Sequence, residues 1–490
     1  MADRHNPFGQ ATAFGPGMAR LTLALGLALC AGVEVHGQRM RAHEALYAAN
    51  CASCHGTDGG GGQGSSLVDD VWNLGADDAS IARVITVGAG DGTMPAFGEV
   101  MSQEQIRSLV VLVRELSDRP RLGAAKQGAA GNEGRYSTQL ADFALTEVFA
   151  TDGILWGLDF LPGGQLILSE RSGQIIVWDG QRETVIKGTP AVQSEGDIGL
   201  LDLELHPDYA ENGWIYVAAA VDGDPTSDER RAMTELIRGR MRDGQWVDEE
   251  RIFQARVEHR AIGKSRLGSR ILFHEGFLYF TIGDGGPGEP SQDLTMPTGK
   301  TFRIHDDGRI PADNPFVGQS GVYGAIWTYG NRNVQGLAVQ PGTGILFASE
   351  HGPRGGDELN VLQPGANYGW PLVSYGIEYN GQPVSAAQQM PGVEDPLLHW
   401  TPSIAVCDIH FYQGDAFPAW RGDLLVAALG QEHLRRLRLE GQRVVEQEIV
   451  IGDIGRVRTI VAGPDGNIFL VTNLRGENSR SHVYRMDPLR

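Results

Sequence analysis

Gly276-Phe277-Leu278-Tyr279-Phe280 sets a glycine and one variable residue ahead of a hydrophobic trio, and the arrangement recurs five more times in the chain. Upstream stand Gly164-Gln165-Leu166-Ile167-Leu168 and Gly213-Trp214-Ile215-Tyr216-Val217. Downstream stand Gly344-Ile345-Leu346-Phe347-Ala348, Gly422-Asp423-Leu424-Leu425-Val426 and Gly466-Asn467-Ile468-Phe469-Leu470. The copies lie 44 to 78 residues apart, each interval roughly one four-stranded sheet with its loops. A glycine feeding an apolar strand occurs in many β-hairpins. Six copies spread across residues 138–490 favour a radial repeat, so the expected fold is mainly β, a six-bladed β-propeller. Blades of such a fold converge on a channel, and ligand sites usually lie at its mouth.

Bulk composition agrees with this reading. The 490 residues include 67 glycines and are 41% hydrophobic, enough for a packed core with many tight turns. A formal charge of −20 argues against nucleic acid or anionic lipid as a partner. At this length more than one domain is expected.

Residues 1–37 read as an export signal, with Met18 as an alternative start. Arg20 precedes the apolar run Leu21 to Val33, and Gly37 could mark cleavage. The run is too short to span a bilayer comfortably, and Leu29 is bulky for a lipoprotein site at Cys30. The expected location is therefore periplasmic, with no stable membrane span after cleavage. Of four cysteines, loss of Cys30 would leave Cys51, Cys54 and Cys407, too few for a disulfide framework.

Cys51-Ala52-Ser53-Cys54-His55 is a C-x-x-C-H motif. Its two thiols can add to the haem vinyl groups while His55 reaches the iron. Met94, in the Pro-containing loop Gly92-Thr93-Met94-Pro95, is the expected sixth ligand, with Met101 or Met40 as alternatives. Thioether ligation raises the potential, which suits an electron acceptor. Ser102 and Gln105 form a capping-box pattern, after which Ile106, Leu109, Val110 and Val113 share one helical face. Another helix is expected around Ala42 to Ala49. Together these features resemble a small all-α class I cytochrome c over residues 40–117, within a domain expected at 38–117. Residues 118–137, rich in Gly, Ala and charge, are expected to form a linker.

A string in the propeller segment runs from Glu350 through His351-Gly352-Pro353-Arg354 to Asp357-Glu358, followed by Asn367-Tyr368-Gly369-Trp370-Pro371. Further strings are Gly199-Leu200-Leu201-Asp202, Thr281-Ile282-Gly283-Asp284, Arg332-Asn333-Val334-Gln335 and Gly455-Arg456-Val457-Arg458. In these strings the segment is similar to the soluble glucose/sorbosone dehydrogenase (aldose sugar dehydrogenase) family. The resemblance implies pyrroloquinoline quinone (PQQ) with calcium. It would place Arg332, Arg456 and Arg458 on the cofactor, with Asn333 and Gln335 nearby. Carbonyls of Gly352 and Pro353 would hold the cofactor calcium, and Glu358 and Tyr368 a second, structural one. A cofactor with three carboxylates and an ortho-quinone calls for guanidinium clamps and a divalent cation.

Three positions depart from the family pattern. Arg266 stands where the resemblance implies a histidine general base, and a guanidinium does not serve as an ordinary base. Asp197 replaces a glutamine, and Gly430 a lysine. Asp284, which would orient the missing histidine, is expected to pair with Arg266. Asp197 and His259 are the candidate relocated bases, and an acidic substrate drawn by Arg266 is another explanation. The function expected is periplasmic PQQ-dependent oxidation of an aldose-like sugar or other small alcohol or aldehyde, with electrons passing to the covalent haem and on to a respiratory acceptor. The alternatives are a non-catalytic binding propeller with an attached cytochrome and a propeller hydrolase or lyase. For the last, no Ser/His/Asp string or paired-carboxylate signature stands in the sequence.

Overall fold

A computed structural model describes residues 41–490 except 70, 90–91, 130–133, 224–230, 264, 477–478 and 490. The expected signal segment, Cys30 and Met40 lie outside the described residues. Among those residues no helix is long and apolar enough to cross a membrane.

Residues 155–488 form six antiparallel sheets, and all six glycine-led trios open the second strand of their sheet. Blade 1 begins Leu155–Phe160 and Leu166–Glu170, blade 2 Leu200–Leu205 and Trp214–Asp222, blade 3 Ile271–His274 and Phe277–Ile282. Blade 4 begins Val334–Val339 and Leu346–Glu350, blade 5 Val406–Phe411 and Leu424–Ala428, blade 6 Arg456–Ala462 and Ile468–Asn473. First strands of neighbouring blades touch each other around the axis. The ring closes where Asp142–Asp152, from the start of the propeller segment, pairs with the chain's last strand, Arg480–Pro488.

The repeat has a physical cause at each of its positions. The glycine turns the first strand into the second with φ between +68° and +88° in all six copies, a region that costs an L-residue but not glycine. The trio is continuous because the second strand is buried on both faces, between two blades. Its alternate side chains serve opposite interfaces. Leu166 and Leu168 pack in the seam between blades 6 and 1, whereas Ile167 packs between blades 1 and 2. Leu346 and Ala348 face blade 3, and Phe347 faces blade 5. Six seams of this kind make one closed core.

Polar groups pin the seams near the axis. Asp159 accepts the N–H of Leu205, Asp202 that of Ile271 and Asp408 that of Ile460, at 2.8 to 2.9 Å. Arg270, 5% exposed, plugs the channel between them. Its guanidinium donates to Asp202 at 2.8 Å and to the Gln335 carbonyl at 3.0 Å.

Ahead of the propeller four helices make a small domain: α1 (Ala42–Asn50), α2 (Ala52–His55), α3 (Asp78–Val87) and α4 (Gln103–Ala129). The Ser102–Gln105 capping box is formed in both directions. Ile106, Leu109, Val110 and Val113 are at most 5% exposed and pack against Tyr47, Ile81 and Ile85. Helix α4 continues to Ala129, so most of the span expected as linker is helical. Leu122, Ala124, Ala125, Lys126 and Ala129 are good helix formers, and a nucleus already packed through Leu116 propagates cheaply. The propeller segment then starts with the short strand Arg135–Ser137.

Candidate functional site

In the helical domain the turn of α2 presents Cys51, Cys54 and His55 together. Both cysteines are free and half-buried. The His55 Nδ1–H donates to the Ser65 carbonyl at 2.8 Å. That bond fixes the tautomer and leaves Nε2 open to a metal. Gly64 closes against the ring, where a Cβ would come within 2.9 Å of Cε1. Met94 and Phe97 are half-buried in the same apolar cluster, and the Met94 carbonyl is held by the N–H of Ala89 at 3.1 Å. Met101, the alternative ligand, is 7% exposed and packs in the helix core. Two free thiols, an imidazole with one open nitrogen and a half-buried thioether fit a covalent haem.

At one end of the propeller axis all six blades line a cavity of about 620 Å³. It is strongly cationic. Arg171, Arg266, Arg332, Arg456, Arg458 and Arg475 line it, against one carboxylate, Asp197. The site residues Asn333 and Gln335 line it too, whereas His259 bonds Tyr323 Oη at 2.9 Å and does not. Arg332 and Arg458 are 3% and 5% exposed, yet the Nε of each has no hydrogen-bond partner. Nor do Nε1 of Trp156 and Nε2 of His351, which line the same wall. Arg458 makes only a long bond to Asn473 at 3.4 Å and stacks 4.1 Å over the Trp156 ring. Burial pushes its pKa down to about 10, so it stays charged. Burial, with Arg332, Arg456 and Arg458 nearby, pushes His351 down to about 3, so this imidazole is neutral. Orphaned N–H groups on buried cations are costly unless a ligand meets them. The residues that carry them line the cavity, so the donor set fits the tricarboxylate PQQ.

Arg266 is held in a fork. Its Nε and Nη2 donate to the two Asp284 oxygens at 2.8 and 3.3 Å, and Nη2 also bonds the Gly286 carbonyl. The expected pairing is therefore formed. Asp284 is fully buried and also accepts Trp370 Nε1 at 2.9 Å. Asp197 accepts the backbone N–H of Arg266 at 3.0 Å and keeps an edge on the cavity.

Gly352 and Pro353 are buried beside the cavity. Asp357 holds the Gly352 N–H at 2.8 Å, and Arg332 Nη1 donates to the Gly352 carbonyl at 2.8 Å. A Cβ on Gly352 would fall 2.3 Å from the Gly355 and Gly356 carbonyl oxygens, so the loop requires glycine there. Deeper in blade 4, Glu350 and Glu358 face each other. Burial raises Glu350 to about 7, and burial together with Glu350 raises Glu358 well above its usual range. Two buried carboxylates this close call for a shared proton or a cation. The Tyr368 hydroxyl is instead committed to its own turn, donating to the Val361 carbonyl at 2.6 Å. Among the described residues no three His, Cys, Asp or Glu side chains converge as a metal site, so a cation here would lean on carbonyl oxygens.

Sequence reasoning missed Arg171, His351, Tyr379 and Arg475 as wall residues. Arg475 reaches the carbonyl of Gly430 at 2.5 Å and Glu432 at 2.7 Å, which brings a cation back to the position where the family lysine is absent. A signal was available. Arg171, His351, Leu429 and Arg475 each come one or two residues after a blade's second strand, and Asp284 does as well.

Residues 153–483 match the family described as Glucose / Sorbosone dehydrogenase. Residues 38–113 match the one described as Cytochrome C oxidase, cbb3-type, subunit III. The chain is 35% identical over 329 residues to an aldose sugar dehydrogenase of Escherichia coli, covering 65% of this chain and 86% of that protein. The PQQ-bound aldose sugar dehydrogenase of Streptomyces coelicolor is similar in structure, with a TM-score of 0.55 at 29% identity, over 71% of this chain and 99% of that one. Over 74 residues the helical domain is 45% identical to the cbb3-type oxidase subunit FixP of Azorhizobium caulinodans, 14% of this chain and 25% of that protein. The chain thus belongs to the glucose/sorbosone dehydrogenase family, its propeller preceded by a cytochrome c domain.

Proposed function

We propose that this is an exported, periplasmic quinoprotein that oxidises an aldose-like sugar or other small alcohol or aldehyde and delivers the electrons to its own c-type haem. The observation that carries the reading is the set of unpartnered N–H groups on Arg332, Arg458 and Trp156 around a cavity lined by six arginines. When bound, PQQ supplies a two-electron ortho-quinone whose reactive carbonyl calcium would polarise. Arg332, Arg456 and Arg458 would bind its carboxylates, with Asn333 and Gln335 orienting it. Gly352 and Pro353 would offer carbonyls to the calcium, and Glu350 with Glu358 would take a structural cation. Tyr368 could join that site only through its backbone, since its phenol is engaged.

Arg266, locked on Asp284, binds and orients but takes no proton. Asp197 is the carboxylate that borders both Arg266 and the cavity, which makes it the best-placed acceptor for the substrate hydroxyl proton. An acidic substrate is a second reading, favoured by Arg171, which lines the cavity and is bonded to the Gly196 carbonyl rather than to a carboxylate.

The test is anaerobic. The haem-loaded, oxidised protein is reconstituted with PQQ and calcium, and reduced-haem absorbance is followed while aldoses, uronates, alcohols and aldehydes are added. Haem reduction requiring both PQQ and one substrate class supports the reading. Absence of PQQ binding with no reduction by any substrate favours a non-catalytic binding propeller instead.

A further inference from the structure

One segment of blade 4 touches both the cavity and the cytochrome domain. Between its third strand (Asp357–Val361) and fourth (Leu398–Trp400) the chain makes a long insertion, residues 362–397. On its inner side Trp370 bonds Asp284 and lies 5.1 Å from the Arg332 guanidinium, while Tyr379 lines the cavity. The next residues carry the cytochrome. The Asn380 carbonyl accepts the N–H of Ala42 at 3.2 Å, and Gly381 packs so close to His43 that a Cβ would fall 2.4 Å from its Nδ1. Arg107 of α4 donates to the carbonyls of Ser385 and Ala386 at 2.7 and 2.9 Å.

A second contact is ionic. Arg354 sits one residue past Pro353 and donates in bidentate fashion to Glu115 of α4, at 2.5 and 2.6 Å. Both side chains are about 15% exposed, at 15% and 14%, and Glu44 and His43 close the site at 3.9 Å. Burial alone would raise the Glu115 pKa, but the nearby His43 and the hydrogen bonds from Arg354 outweigh it and the carboxylate is held below its usual range. A part-buried, bidentate pair of this kind contributes little net stability but fixes one geometry.

We infer that the Arg354–Glu115 pair is a latch that holds the cytochrome on the rim of the cofactor cavity, so that electrons cross to the haem within one chain. The inference rests on the function proposed above. In each turnover the substrate gives up two electrons and two protons. The protons leave to water. The electrons would leave one at a time to the haem that Cys51, Cys54 and His55 would hold, which would supply a one-electron Fe(III)/Fe(II) couple, and a soluble one-electron oxidant such as an external cytochrome would reoxidise it. The blade 4 insertion would then be the protein matrix between donor and acceptor.

The test compares the full haem-loaded chain with Glu115→Lys and the milder Glu115→Gln. Small-angle scattering reads docking without substrate, and should show a larger radius of gyration for Glu115→Lys. In stopped flow with PQQ, calcium and a substrate, haem reduction in the unaltered protein should be first order and independent of protein concentration. Removing one partner of a part-buried charge pair should lower that rate by roughly thirtyfold in Glu115→Lys, and by less in Glu115→Gln. Turnover with a small dye that bypasses the haem should stay within about twofold, and haem absorbance and circular dichroism report folding. Concentration-dependent reduction in the unaltered protein, or unchanged scattering and rate in Glu115→Lys, overturns the latch. If no substrate drives the dye, the dehydrogenase reading has failed, and scattering still decides the latch by itself.

Discussion

The two sites of this chain obtain their geometry in opposite ways. The haem site is assembled from two short stretches, residues 51–65 and the loop around Met94, on helices whose core is apolar. Its key spacing is one turn of α2, set by local backbone alone. The cavity draws residues from Ile154 to Ser479 and from every blade. It concentrates cations that no local structure would tolerate, on blades whose seams are pinned by Arg270 and the seam aspartates. A local site can be damaged without loss of the fold, whereas a dispersed one depends on closure of the whole ring by Asp142–Asp152. Perturbations of either site should therefore leave the other intact.

The largest test of that separation is Cys51→Ala with Cys54→Ala. Without either thiol no thioether can form, so haem stain after denaturing electrophoresis should vanish entirely while PQQ affinity, read by calorimetry, stays unchanged. Haem that remained covalently bound would remove the C-x-x-C-H assignment. The converse test is Arg458→Met. The thioether fills the space above Trp156 but leaves one cofactor carboxylate unmet, a loss of about 2–5 kcal/mol, or roughly thirtyfold to a few thousandfold in affinity. The haem spectrum should not move. A change in PQQ affinity below about threefold would mean that Arg458 faces solvent or a different ligand.

The same contrast explains what could be read from the chain. The propeller was legible because each glycine meets a positive-φ turn and each trio a strand buried on both faces, so local sequence carried the global repeat. The haem motif was legible because all its chemistry is contiguous. Arg332, Arg456 and Arg458 came from family resemblance, since a buried arginine and a solvated one look the same in sequence. Arg171, His351 and Arg475 had a positional signal, the step after a second strand, that becomes usable only once the blades are known. The Arg354–Glu115 pair had none. Its partners lie in different domains, and nothing local to either distinguishes it from a surface charge. Helix α4 ran past its expected end because Gly and Pro weigh against helix as isolated residues, whereas a packed nucleus propagates over them.

A smaller effect sharpens the contrast within the propeller. Asp284→Asn leaves the Arg266 fork facing an amide in a site where the carboxylate is fully buried and the guanidinium 24% exposed. Loss of a charge-assisted bond at such a position should destabilise the propeller by about 1–3 kcal/mol, measured by denaturant unfolding. The bond from Trp370 Nε1 can persist on the amide oxygen, which places the cost on Arg266 Nε and the Gly286 N–H, the donors to the other oxygen. An equal loss in the Arg266→Met background would show that the pair itself contributes nothing.

The smallest effect lies at the start of α4. In Ser102→Ala the Gln105 N–H loses its 3.3 Å acceptor while Gln105 still caps the Ser102 N–H at 2.9 Å, so half of the box survives. Removing such a cap costs about 1 kcal/mol. Because α4 carries the apolar face of the haem domain as well as Arg107 and Glu115, the loss should appear in the haem-domain melt, followed by Soret absorbance. It should be absent from PQQ affinity, since no residue of the first turn of α4 lines the cavity. If Ser102→Ala weakened the cofactor site as well, the two regions would share one unfolding unit, and the separation argued from their construction would fail at its most sensitive point.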